Sequence, residues 1–392
     1  MRTLAFVLCC FAVACSSHHD GGSPPIGGDS GAGSGVPPPG TTVTGCDGAS
    51  LLANPADYAA PGPWPVGART VMVGGLLTEV WYPATPGSDA GMTHARYDIR
   101  TELSTTEAAK ISDTDNPWQD CDCTRDLPLD AGHGPYPAIL FVHGTASFRH
   151  QSLSIVTHWA SRGFVVIAAD HPGLKLGDLL AQACGGMAPA QNLSGNLDTL
   201  IAGLAQPSGD LGFLAGHVAA QRLAVTGHSA GGGAAAAASG KPGVRVVISM
   251  AGAGATAAGP QLQSTLYMGG SLDSIASFNQ VQTAYQGSVA PRRLVGVLNA
   301  GHLNFSDLCD TKNAAGQDLL TIAKQDNVCG ANLAGFLFDC DPSHVAGPVG
   351  WKIINYASSA VLEPTLQCQQ QSDLEAHETA DPGVSKYDEQ LN

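Results

Sequence analysis

Gly227-His228-Ser229-Ala230-Gly231 decides how this chain is read. Upstream lies Arg222-Leu223-Ala224-Val225-Thr226, a short apolar run with the β-branched residues of a strand. Downstream, Gly232-Gly233 lead into residues 234–238, all alanine, a helix-forming run with almost no side-chain bulk. The pattern predicts a strand, a sharp turn with a serine at its tip, and a helix. Glycines on both sides suit a strained turn in which the helix backbone passes close to the sheet. The pentapeptide alone says little. With 49 glycines in 392 residues, a Gly-x-Ser-x-Gly arises by chance roughly 0.4 times in a chain of ordinary serine content. Its flanks carry the reading.

Further strands and helices fall into place around it. Residues 69–73 and 76–82 flank Gly74-Gly75 and predict a hairpin with a two-residue turn. Residues 137–142 and 164–169 are continuous apolar runs, as expected of strands buried on both faces. Between them, 150–162 reads as a helix with Leu153, Val156 and Ala160 on one face, ended by Gly163. Strands follow at 222–226, 244–250, 264–268 and 293–298, and an amphipathic helix at 351–362. An antiparallel start followed by alternating strands and helices predicts an α/β fold with a mostly parallel sheet and helices on both faces. The catalytic domain is expected to span 45–370. Residues 84–136 are loop-rich, and the polar segment 371–392 is expected to be a frayed tail.

In such sheets, sites form beyond the C-terminal ends of the parallel strands. Asp273 follows the strand ending near Met268, and His302 follows the one ending near Leu298. The order Ser229, Asp273, His302 is one in which a hydroxyl, its imidazole base and the orienting carboxylate occur along a chain. A serine hydroxyl is a poor nucleophile at neutral pH. It needs the imidazole to take its proton, and the carboxylate fixes the tautomer and stabilises the resulting cation. Asp307 and Asp310 come after His302 and are expected to cap or hydrogen-bond its loop. His171, also at a strand end, is an alternative base. His228 is expected to point away from the serine and serve structure. Two backbone N–H groups are needed to hold a developing oxyanion. Ala230, after the serine, offers one, and Thr145 in His143-Gly144-Thr145 offers the other.

These pieces, with Pro65-Val66-Gly67-Ala68-Arg69, Glu79-Val80-Trp81-Tyr82-Pro83 and Gly163-Phe164 through Pro172-Gly173, resemble the dienelactone-hydrolase-like and platelet-activating-factor acetylhydrolase-like α/β-hydrolases. That group is related to chlorophyllases and cutinase-like polyester hydrolases. The resemblance covers about residues 60–365. It implies an α/β-hydrolase fold and a serine esterase working through an acyl-enzyme, with Ser229, Asp273 and His302 as triad and Thr145 and Ala230 as oxyanion donors. A polyester or lipase-like hydrolase is the alternative, and a non-catalytic surface-binding protein of the same fold is the rival of another class. True dienelactone hydrolases carry a cysteine where this chain has Ser229. The polyester hydrolases carry an aromatic in the oxyanion loop and a tryptophan after the strand that follows the elbow. Here those places hold Thr145 and the aromatic-free stretch 251–259. Only about thirteen residues separate Met250 from Ser264, so no large lid is expected there. Cover is expected from 174–221 or 84–136, over a fairly open cleft lined by small residues.

Composition narrows the partners. The formal charge is −15 (18 basic, 33 acidic residues), which argues against nucleic acid and anionic lipid surfaces. The expected substrate is a small-molecule or lipid-like ester, handled by a monomer without metal or organic cofactor. Met1-Arg2 and the apolar run 4–14 have the form of a signal peptide, too short to span a bilayer. Ala12-Val13-Ala14-Cys15 resembles a bacterial lipobox, which implies lipidation of Cys15 and an outer-membrane lipoprotein; a secreted protein is the alternative. Residues 16–44, rich in Gly, Pro and Ser, read as a disordered tether. Beyond the leader stand eight cysteines, an even set that in an exported protein implies disulfides. Eight allow 105 pairings, and the sequence does not choose among them.

Overall fold

The computed structural model describes residues 40–371 and 373–392. The expected leader, lipidated Cys15 and the tether to residue 39 lie outside the described residues. The last tether residues do not behave as tether. Thr42–Thr44 pairs antiparallel with Ser50–Leu52, so the ordered unit begins before residue 45.

Ten strands make the central sheet: β1 Val66–Val73, β2 Leu76–Pro83, β3 Thr124–Arg125, β4 Tyr136–Val142, β5 Val165–Ala169, β6 Val218–His228, β7 Val244–Met250, β8 Ser264–Gly270, β9 Arg292–Val297 and β10 Val384–Gln390. Their order is β10-β9-β8-β7-β6-β4-β5-β2-β1-β3. The six from β9 to β5 run parallel, while β2 is antiparallel to β5 and to β1. The β1–β2 hairpin turns on Gly74 and Gly75 at φ 55° and 87°, the left-handed pair that matches strand twist.

Besides a single turn at Thr105–Ala108, the helices are α1 Leu153–Ser161, α2 Leu176–Ala183, α3 Leu193–Ala205, α4 Ala230–Ala236, α5 Phe278–Gly287, α6 Leu319–Gln325, α7 Ala331–Ala334, α8 Gly347–Leu362 and α9 Leu374–Ala380. Side chains alternate across the sheet. Ile139 and Phe141 of β4 join Trp159 of α1 and Ile354 of α8 in one core. Leu140 and Val142 join Leu197 and Leu200 of α3 and Ala235 of α4 in the other. Both sides of the central strands are therefore apolar, which is why those strands read as unbroken hydrophobic runs.

The C-terminal segment departs from expectation. It is no frayed tail: α9 and β10 occupy it, and β10 closes the sheet antiparallel to β9. As an edge strand it needs apolar side chains only on its inner side, where Val384 and Tyr387 pack on the core. Its charged residues, including Glu389 paired with Arg293 at 3.3 Å, hid it from a hydrophobic reading.

No lid follows β7, as expected. The cover over the C-terminal strand ends is assembled from three segments around 96–125, 174–184 and 303–346. The first is fastened by a buried polar network. Arg149 Nη1 donates to Glu102 at 2.8 Å and to Asp170 at 2.7 Å. His150 faces Glu102 at 3.0 Å and Gln119 at 2.8 Å. Tyr97 donates to fully buried Glu79 at 3.0 Å, which also pairs with Arg125. Burial alone pushes the Glu102 carboxyl up, but its hydrogen bond from His150 and the charges of His150 and Arg149 outweigh that and bring it down to about 2. A buried network of this kind stiffens the segment it fastens, although Arg149 Nε, 3.8 Å from Glu79, has no hydrogen-bond partner among the described residues.

All eight described cysteines are bridged, as the even count implied: Cys46–Cys368, Cys121–Cys123, Cys184–Cys329 and Cys309–Cys340. Cys184–Cys329 joins the end of α2 to the turn before α7, two parts of the cover 145 residues apart in sequence. Replacing both of its cysteines by alanine is expected to lower stability by about 2–4 kcal/mol, since the freed loop is long. Urea unfolding measures this, and an unchanged midpoint would refute it.

Candidate active site

The elbow forms where β6 ends and α4 begins. Ser229 sits between them at φ 58°, ψ −119°, a conformation that costs a non-glycine residue of order 1–3 kcal/mol. The turn fits because its neighbours lack side chains. A Cβ on Gly231 would lie 2.0 Å from the Val142 carbonyl oxygen, and one on Gly227 would lie 2.3 Å from that of Gly231. Crowding α4 onto β4 in this way brings the loop after β4 against the serine. A Cβ on Gly144 would stand 3.3 Å from that of Ser229. Among the described residues, the N–H groups of Thr145 and Ala230 have no protein acceptor, whereas Ala146 N–H is taken by Leu174 O at 2.9 Å. Two free donors beside a serine can hold an oxyanion.

Asp273 follows β8 and His302 follows β9, and the fold brings them together. His302 Nδ1 lies 2.9 Å from Asp273 Oδ2, while Asp273 Oδ1 accepts from the amides of Ile275 and Ala276, both at 2.8 Å. One carboxylate oxygen is thus fixed by backbone and the other fixes the imidazole. His302 and Ser229 line one cavity. An imidazole whose Nδ1–H is held by a carboxylate has Nε2 free to take a hydroxyl proton.

The histidines expected at the margins have definite places. His228 is fully buried, and burial, then the charge of His302, hold its pKa well below the usual range. Neutral, it donates through Nε2 to the carbonyl oxygen of His302 at 2.9 Å and accepts at Nδ1 from Gln151 Nε2 at 3.1 Å. Gln151 in turn accepts from Gly144 N–H at 2.8 Å. This relay links the 143–145 loop to the His302 backbone, and nothing in the sequence marks Gln151. On its other side, His302 N–H donates to Asp339 at 3.0 Å, next to the Cys309–Cys340 bridge. His171, the alternative base, is buried and held down to about 3, by burial first and then by His143. Its backbone N–H donates to His143 Nε2 at 3.1 Å, so it supports the strand-end loop. Asp307 accepts from Ser154 N–H at 3.1 Å and so caps the start of α1 rather than the His302 loop expected of it. Burial raises it to about 7.

The cleft is not the open, small-residue groove expected from sequence. Leu, Ile and Phe side chains from all three cover segments line it. The largest share comes from 303–338, a segment not counted as cover from the sequence. Among the described residues no group of three or more His, Cys, Asp or Glu could hold a metal ion, and no helix is long and apolar enough to cross a membrane.

The PET hydrolase-like (PETase) family model matches residues 123–313, a span that includes Thr145, Ser229, Ala230, Asp273 and His302. Among solved structures, a ferulic acid esterase from Streptomyces cinnamoneus is similar at 17% identity and a TM-score of 0.55, covering 81% of this chain and 94% of that one. No curated protein matches the chain. The parallel sheet, its elbow and the likeness to a solved structure give an α/β-hydrolase fold, and the match to the PET hydrolase-like model over part of the chain relates it to the polyester hydrolases as a carboxylic ester hydrolase.

Proposed function

We propose that this enzyme cleaves its ester through an acyl-enzyme on Ser229. His302 takes the serine proton as Oγ attacks the acyl carbon, and the tetrahedral oxyanion accepts from the Thr145 and Ala230 N–H groups. Collapse breaks the ester C–O bond, and His302 returns the proton to the departing alkoxide. Water, deprotonated by His302, then attacks the acyl-enzyme, and the acid leaves with Ser229 regenerated. Asp273 keeps His302 in the Nδ1–H tautomer and stabilises its cation. The observation that supports this most is the 2.9 Å contact of His302 with Asp273 in the cavity that Ser229 lines. The polyester reading rests on the family match; the covered cleft and Thr145 in place of an aromatic count against it.

The export signal fits the four bridges, since disulfides persist in oxidising compartments. In this reading the chain leaves the cytoplasm and Cys15 carries the lipid. Cys15→Ser is expected to move the protein from the membrane pellet to the soluble envelope fraction; a membrane-bound variant would overturn the anchor.

Ser229→Ala is expected to lower kcat on p-nitrophenyl esters by about 10⁴–10⁶-fold with unchanged far-UV circular dichroism. Full activity in the folded variant would exclude this mechanism.

Asp273→Asn is expected to cost on the order of 10⁴ in kcat by permitting the wrong tautomer, whereas Asp307→Asn changes kcat by less than about tenfold, because that carboxyl faces α1 rather than His302. The reverse ranking would reassign the acid.

A further inference from the structure

We infer that the covered cavity beside Ser229 is an acyl site for flexible, uncharged aliphatic chains, an inference that rests on the serine hydrolase reading above. Of the three small apolar clusters apart from the main cores, two lie at the cover. One contains Ile99, Phe148, Leu303 and Leu308; the other contains Ile111, Ile322, Val328 and Ala331, with Leu180 against it. Packed for stability alone, they would merge. Instead both face a cavity, partly open to solvent, which extends to Ser229 and His302. Apolar walls around unfilled space forgo the dispersion contacts that close packing supplies, and an alkyl chain entering from the serine would restore them.

The polar groups in the wall point the same way. Arg100 lines the cavity, but its guanidinium is taken by Asp98 at 2.7 Å, Asp113 at 2.6 Å and the Ile111 carbonyl at 3.2 Å. No free positive charge meets a distal carboxylate there. Buried wall atoms without a partner among the described residues are uncharged, Asn116 Oδ1 and Ser147 Oγ. Nor is there a broad aromatic platform. The two phenylalanines of the wall are Phe148, which packs on His150 with ring centroids 4.5 Å apart, and half-exposed Phe338; leucine and isoleucine side chains outnumber them as a surface for an acyl group. The wall is also built to keep its shape, because Cys184–Cys329 joins the α2 side, carrying Leu180, to the α6–α7 side, carrying Ile322 and Val328.

Hydrolysis of linear p-nitrophenyl esters from acetate to dodecanoate by the purified protein tests this, with the benzoate as aromatic comparison. In the wild type kcat/KM is expected to rise by up to about fourfold per methylene until the cavity is full, with octanoate preferred over benzoate. Ile322→Trp, which fills the cavity from α6, is expected to lower the octanoate-to-acetate ratio of kcat/KM at least tenfold. Leu180→Trp, at a half-exposed position on α2, makes the same test should Ile322→Trp fail to fold. Calorimetric titration of the Ser229→Ala protein with octanoate reads the site without turnover and is expected to show binding that Leu180→Trp weakens. A flat chain-length profile, a preference for benzoate, or ratios unchanged in the folded variants would overturn the inference. Octanoate binding with no ester turned over would leave the acyl site standing and overturn the hydrolase reading instead.

Discussion

The structure turns on how closely α4 can approach β4. With no side chain at Gly231, its Cα can pass beside the Val142 carbonyl, where even a methyl group would lie 2.0 Å from the oxygen. That approach sets the Ser229 turn, presses the 143–145 loop against it, and leaves two N–H groups unspent beside the serine. The strained backbone of Ser229 persists because the strands and helix around it over-determine the turn. Everything else at the site is arranged about this fixed point. The parallel order of β6, β8 and β9 brings the loops carrying Asp273 and His302 to the same edge of the sheet.

His302 itself is held from three directions: its ring by Asp273, its N–H by Asp339, and its carbonyl oxygen by His228. Burial keeps His228 neutral, and the His302 carbonyl oxygen, which can only accept, makes Nε2 the donor. A cation there would have no acceptor for its second proton, because Nδ1 faces the Gln151 amide group. His228, which precedes Ser229, is thus matched to the backbone of His302, although 74 residues separate them in sequence.

The elements legible in the sequence are those whose signals are local. The β1–β2 hairpin announces itself through Gly74-Gly75, the buried strands through their apolar runs, and the elbow through glycines that crowding requires. Ser229, Asp273 and His302 were legible because each follows a strand that could be recognised. The cover was not, because its order comes from distant partners. Glu102 takes its place from Arg149 and His150, and α2 is bound to the turn before α7 by Cys184–Cys329. Neither kind of partnership leaves a periodic trace in the chain. β10 leaves no apolar signal for the opposite reason: an edge strand contributes mainly backbone pairing, and its charged residues resemble a solvated tail.

The Cys46–Cys368 bridge gives the molecule a different kind of integrity. It closes 322 residues of sequence separation into a covalent ring that contains the whole cover, the elbow and the loops carrying Asp273 and His302. A single backbone cut anywhere in that ring opens it but does not divide the molecule, since each fragment keeps one of the joined sulfurs. The exposed loops of the cover, where the chain is most open to proteases, can therefore be nicked once without release of either piece. The sheet that both pieces share would still hold them in register.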